Sequence, residues 1–186
     1  MNATATPASR THATELVNQT DVDDEFLQRV MTPYRAHCRY LKGVQIGYEP
    51  GMEPSYENMV AIGQFAIDRS CYIDDTGHFN AVEFNICYNQ LAYVHLAHCI
   101  RERLLPALGD YTLESFFEKQ LANYLIASIH SNYHSELNPR EFHGEVRVRS
   151  ARSRQRLSIL KTECCFYDAE QGRSDGEVKL VVLANR

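Results

Sequence analysis

The chain has 186 residues, a formal net charge of −5 at pH 7, and 44% hydrophobic against 23% charged residues. That is the length of one domain with a sizeable core, in an ordinary soluble composition. The acidic balance argues against a nucleic-acid binder, and no apolar run nears the ~18 residues a membrane helix needs.

Residues 1–20, MNATATPASRTHATELVNQT, are polar and lack the charged-then-apolar layout of a signal peptide. They are expected to form a disordered tail, leaving 21–186 as the domain. Six cysteines occur, at 38, 71, 87, 99, 164 and 165, with no CxxC pair. In a chain without a secretory signal they are expected to be free thiols in a reducing cytoplasm. The adjacent Cys164 and Cys165 are expected to face opposite sides of one strand.

Residues 21–33 predict a short helix, with Asp21 as cap, acids in the first turn and Pro33 at its end. Residues 39–48 and 58–68 read as strands joined by a loop with two prolines and a glycine, an antiparallel pair. A turn at 74–77 then delivers a long helix over 79–103, ended by Pro106 and Gly109. One apolar set on it runs Phe79, Val82, Ile86, Tyr93, Leu96, Ala97, Ile100; a second runs Phe84, Cys87, Leu91, Val94. A helix apolar on most sides is buried. Glu83, Asn89 and Gln90 lie between the two sets, and burying them demands hydrogen bonds or chemistry.

Thr112–Ser115 resembles a capped helix start. Residues 119–133 suit either a strand or a helix; their β-branched and aromatic content favours a strand. Strands follow at 141–150, 155–167 and 176–184, with turns at 151–154 and 168–175. The order of one dominant helix among antiparallel strands defines an α+β class.

The candidate chemistry sits at Thr76-Gly77-His78-Phe79-Asn80-Ala81-Val82-Glu83. A helix start leaves backbone N–H groups unpaired and carries partial positive charge, which suits an oxyanion. Asn80 can cap the helix or aim its amide at a substrate, and His78 and Glu83 can exchange protons. A purely structural reading stands beside this one, because Asn80 and Glu83 have capping-box spacing. His95, His98 and Cys99 mimic a metal cluster but lack a carboxylate or fourth ligand nearby, so no metal site is expected. His130 and His134, on one strand face, would be ~13 Å apart. No GxSxG elbow, P-loop or GxGxxG occurs. Arg147, Arg149, Arg152, Arg154 and Arg156 make a basic hairpin, read as a solvated face or as a dock for an acidic carrier protein.

Several blocks resemble one bacterial family: Pro33-Tyr34, Cys38-Arg39-Tyr40-Leu41, Tyr72-Ile73, the Thr76–Glu83 block, Asn89-Gln90-Leu91-Ala92-Tyr93 and Leu137-Asn138-Pro139. The family is that of hot-dog proteins first labelled long-chain fatty acyl-CoA thioesterases. Its members are also described as (2E)-enoyl-[acyl-carrier-protein] glycyltransferases of isonitrile lipopeptide biosynthesis. The His-Phe start is also similar to hot-dog dehydratases, where a histidine and a carboxylate do acid–base work. The resemblance implies a single hot-dog domain, a curved antiparallel sheet wrapped around the long helix. It also implies addition of glycine to the β-carbon of a (2E)-enoyl thioester, followed by hydrolysis to a 3-[(carboxymethyl)amino] fatty acid.

By that resemblance Tyr34, Tyr72 and Asn80 are pocket residues, with His78 and Glu83 beside them as candidate bases. Arg39 is the candidate for glycine's carboxylate, and Phe79, Asn89 and Gln90 complete the expected substrate-binding set. The implied partners are an acyl carrier protein, glycine and a second copy of the chain in a homo-oligomer. No cofactor is expected beyond the carrier's phosphopantetheine arm. The 48–57 loop, Asn85 and Tyr88 depart from the family pattern, which bears on acyl length and pocket width. A simple acyl thioesterase and a non-catalytic acyl-binding module remain as alternatives.

Overall fold

The computed structural model describes residues 14–74 and 77–185. Seven strands form one antiparallel sheet: β1 (Val17–Asp21), β2 (Leu41–Tyr48), β3 (Met59–Phe65), β4 (Tyr124–Ser135), β5 (Phe142–Arg154), β6 (Leu157–Tyr167) and β7 (Arg173–Leu183). Their order across the sheet is β1-β2-β3-β5-β6-β7-β4. The helices are α1 (Asp24–Val30), α2 (Ala81–Arg101) and α3 (Leu113–Asn123).

The sheet curls around α2. Fourteen of the helix's 21 residues are buried, so no side of its middle is left to water. Its contacts reach strands far apart in the sheet. Gln90 bonds the start of β2, the Tyr88 hydroxyl shares a 2.7 Å hydrogen bond with Thr162 on β6, and Phe84 packs on Tyr133 of β4. This is the hot-dog arrangement. Truncating one fully buried member such as Leu91 to Ala would cost about 2–5 kcal/mol.

Under the first turns of α2 the inner sheet face is filled by rings. Phe79, Phe84, Phe142 and Phe166 contact one another at 5.0–6.2 Å between centroids. Two strand glycines make the room. A Cβ on Gly144 would meet the Phe166 ring at 2.6 Å, and one on Gly176 would meet Phe84 at 2.8 Å. The alternation along β6 sends Thr162, Cys164 and Phe166 inward and Glu163, Cys165 and Tyr167 outward, so the two adjacent cysteines do face opposite sides. All six cysteines are free thiols.

Several sequence expectations need correction. Residues 1–13 lie outside the described residues, but the end of the expected tail is ordered. Val17–Asp21 pairs with β2, and the Thr14 backbone N–H and hydroxyl donate to the Glu145 carboxylate at 2.8 and 2.5 Å. Backbone pairing orders a polar segment that has no apolar face of its own. Helix α1 is capped by Asp23, whose side chain accepts from Phe26 N–H, not by Asp21. Residues 119–133 divide: α3 runs on to Asn123, held by Gln120 donating to the Val30 carbonyl, and the strand starts at Tyr124. The expected turn at 151–154 is the end of β5, which regains its pairing after an irregularity between Val148 and Ser150.

Candidate active site

The sequence places Asn80 at the N-cap of α2, and the structure gives it a full set of bonds there. Its Oδ1 accepts from Val82 N–H at 2.9 Å, from Glu83 N–H at 3.3 Å and from the Tyr72 hydroxyl at 2.9 Å. In return Glu83 Oε2 accepts from Asn80 N–H at 3.3 Å, closing a capping box. Three donors converging on one oxygen fix which end of the amide is which. The Nδ2 group therefore faces away from the helix, and it carries no hydrogen bond among the described residues.

This alters the expected oxyanion site. The N–H groups of Val82 and Glu83 are used by the cap and are not available to a substrate. The Ala81 N–H has no hydrogen bond among the described residues. Two donors thus remain at the helix start, Asn80 Nδ2 and Ala81 N–H, at the positive end of the helix dipole.

Glu83 is 3% exposed and lies near Tyr40 and Cys87. Burial raises the Tyr40 hydroxyl, and the Cys71 thiol and Glu83 carboxylate add to this. Tyr40 accepts from Cys71 N–H at 2.8 Å. Burial first, then the charge of Glu83, holds the Cys87 thiol well above its usual range. It stays neutral and is no nucleophile. His78 is exposed on the approach to the helix. Tyr40 and Cys71 were not singled out from sequence as site residues. Only Tyr40's place in the Cys38–Leu41 block hinted at it.

The other expected residues fall in different places. Gln90 is fully buried and spends its amide on backbone: Oε1 accepts from Tyr40 and Leu41 N–H at 3.0 Å each, and Nε2 donates to the Cys38 carbonyl at 2.6 Å. It is a strut that clamps residues 38–41 to α2. Phe79 belongs to the ring cluster of the core. Asn89 lies half-exposed further along α2, donating to Asn85 at 3.3 Å. Tyr34 packs on Tyr93, with ring centroids 6.5 Å apart, and burial raises its hydroxyl. Arg39 donates from Nε to the Tyr34 carbonyl and from Nη1 to Gln28, both at 3.0 Å, which leaves Nη2.

A cavity of about 690 Å³ lies elsewhere, on the outer face of the sheet. Its walls include Glu145 and Arg147, and the sheet separates it from the helix start. Arg147 is buried there and pairs with Glu49 and Glu145, so it does not belong to a solvated hairpin face as expected. A smaller groove of about 590 Å³ is lined in part by Cys71 and Tyr72, the latter bonded to Asn80. Among the described residues no group of three His, Cys, Asp or Glu is arranged to hold a metal ion. No described helix is long and apolar enough to cross a membrane.

A curved antiparallel sheet around one buried helix, with an oriented amide and a buried carboxylate at the helix start, defines a hot-dog domain with a polar site. The chain belongs to the FcoT-like thioesterase domain family, whose profile matches residues 29–182. A relative from Streptomyces coeruleorubidus, a (2E)-enoyl-[ACP] glycyltransferase, is 39% identical over 166 residues, covering 87% of this chain and 97% of its own. A relative of the same description from Mycobacterium marinum is 34% identical over 175 residues, covering 92% of each chain. Among solved structures, Cj0977 of Campylobacter jejuni overlaps with a TM-score of 0.49 at 10% identity, over 84% of this chain and 95% of that one. The fold assignment rests on the sheet order and the buried helix, not on that overlap.

Proposed function

We propose that this chain adds glycine to a (2E)-enoyl thioester carried by an acyl carrier protein and then hydrolyses the product thioester. The names of its relatives support the reaction class. The observation in the molecule that supports it is the Asn80 amide, turned by three bonds so that Nδ2 faces away from the helix.

In this reading the amine lone pair of glycine bonds to the β-carbon. The C=C pair moves toward the thioester oxygen, and Asn80 Nδ2 and Ala81 N–H hold the enolate. His78 or Glu83 takes the ammonium proton, and a proton returns to the α-carbon. Water then attacks the same carbonyl, held by the same donors, and the pantetheine thiol leaves with a proton. Direct attack by water fits a site whose buried thiol is neutral. The Nη2 of Arg39 is the candidate for the glycine carboxylate, with Tyr34 beside it. The chain needs no cofactor of its own.

The ring cluster fills the space between α2 and the sheet, so the acyl chain lies on the open side of the helix, along Val82 and Ile86 toward Tyr133 and Ile129. β4 is an edge strand that exposes Leu125, Ile129 and Tyr133. A second copy covering that edge would close the acyl groove, giving a homo-oligomer. The free thiols suit a cytoplasmic enzyme, and the product is the fatty acid that the resemblance links to isonitrile lipopeptide biosynthesis.

The test is incubation of the protein with crotonyl-loaded carrier and glycine, followed by mass spectrometry. The 3-[(carboxymethyl)amino] acid is expected. Release of plain crotonate with no adduct would leave the second reading, a simple thioesterase, which the family's description favours.

A further inference from the structure

The carrier protein needs a landing surface near Asn80, and the arginine-rich hairpin cannot supply one within the protomer. The β5–β6 hairpin lies at the opposite end of the molecule. Ser158 donates to the Ala107 carbonyl and Ala184 N–H to that of Arg156, beside the turn that follows α2. Asn80 is at the other end of a 21-residue helix, about 32 Å away along its axis. A carrier seated on Arg152, Arg154 and Arg156 would have to send its arm the whole length of the domain.

Another set of cations stands at the site. The 590 Å³ groove is walled by His37 and by the run Arg69–Asp74, and Asp74 is the one carboxylate among its described lining residues. One wall touches the helix start, where Tyr72 donates to Asn80 at 2.9 Å. Arg35 adjoins this groove: the Cys38 thiol feels both its charge and the Cys71 thiol. Arg35 and Arg69 are exposed, and among the described residues neither side chain has a hydrogen-bond or ion-pair partner. Arg101, Arg147 and Arg149, by contrast, all pair with carboxylates. Arg140 is tied to the base of the loop, donating to the Asp68 carbonyl.

The rim is also held in shape. Gln90 clamps residues 38–41 to α2, and Cys71 N–H is held by Tyr40. The side chains of Arg35 and Arg69 thus stand without partners on a fixed rim, with Asp68 and Asp74 beside them.

We propose that the groove between the Ala36–Cys38 turn and the Arg69–Asp74 loop is the carrier's docking face. Arg35 and Arg69 meet its acidic side chains and the phosphate of its arm, and the groove guides the thioester to Asn80. This rests on the carrier-linked substrate of the preceding section. Rim charges of this kind govern encounter rate and salt dependence.

The experiment uses the double variant Arg35→Glu/Arg69→Glu, a milder Arg35→Gln/Arg69→Gln, and a hairpin control, Arg152→Glu/Arg154→Glu. Binding is read by fluorescence anisotropy with butyryl-loaded carrier, which cannot accept glycine, at low and high salt. Turnover is compared on crotonyl-loaded carrier and on crotonyl-pantetheine. The rim charge reversal is expected to weaken binding at least tenfold and to flatten its salt dependence. The ratio of kcat/KM on carrier-linked over pantetheine-linked substrate falls by a similar factor, the Gln pair gives a smaller loss, and the control binds like wild type. Wild-type binding by the rim variant, or a loss confined to the hairpin control, would overturn the proposal. A wild-type protein that turns over crotonyl-pantetheine but binds no carrier refutes the docking face alone. One that binds carrier through the rim yet forms no adduct refutes the glycine reading and leaves the docking face standing.

Discussion

Asn80→Asp separates the capping task of this side chain from its proposed task as a donor to substrate. Asp is as good an N-cap as Asn, so the bonds from Val82 and Glu83 N–H persist. What disappears is the Nδ2 donor on the substrate side. The new carboxylate meets the positive helix end, which favours it by about 0.3–1 kcal/mol. It also meets the Glu83 side chain, which opposes it. The net change in stability is therefore within about 1 kcal/mol, a midpoint shift of about 2–4 °C at most for a chain of this size. The reaction has no such compensation. Removing one oxyanion donor costs about 10²–10³ in kcat, or about 2.7–4 kcal/mol. Asn80→Ala loses both tasks, with about 0.5–2 kcal/mol of stability going as well. Thermal unfolding and single-turnover adduct formation from crotonyl-loaded carrier and glycine read the two quantities separately. A folded Asn80→Asp protein with the wild-type rate would refute the donor role.

Three further outcomes test the frame around the site. Gln90→Ala strands two buried N–H groups and a carbonyl; at about 1–3 kcal/mol for each stranded group, chemical denaturation should register a loss of about 3 kcal/mol or more. Gly144→Ala drives a methyl onto the Phe166 ring and is expected to lower stability by about 1–3 kcal/mol, where an unchanged midpoint would mean the ring cluster is loose. His95 is buried, and burial, aided by nearby His98 and resisted by the Met59 carbonyl, lowers its pKa to about 4. Below its unfolded pKa of ~6.5 the unfolded chain takes up the proton and the folded one does not, so stability falls as pH drops from about 6.5 to about 4. The loss reaches at most about 3 kcal/mol, and His95→Gln should flatten the slope of urea midpoint against pH in that window.

The central helix was legible because its apolar residues recur on nearly every side, which only a buried helix tolerates. The Asn80–Glu83 cap was legible from spacing alone. Other features depend on partners that the local sequence does not name. Val17–Asp21 has all five side chains exposed, so its strand exists through backbone pairing to β2. The end of α3 at Asn123 depends on Gln120 reaching Val30, a residue 90 positions away. Gln90 and Phe79 were expected to bind substrate and are instead a strut and a core ring, because residue type does not distinguish these from a substrate contact. Arg147 looked like one of five hairpin arginines until Glu49 and Thr14 came over it from distant parts of the chain.

The doubled role proposed for Asn80 would leave a gap in what selection for folding can protect. Asn and Asp codons differ by a single base, and the exchange keeps the helix closed. A lineage can therefore drift out of chemistry in one step while its proteins still fold, fill their acyl groove and meet their carrier. Relatives with Asp at this position are expected to be folded acyl-binding descendants, and assaying one with crotonyl-pantetheine and glycine should yield no adduct. In this fold, loss of catalysis would be a silent event as far as stability is concerned, written in one atom pair at the start of one helix.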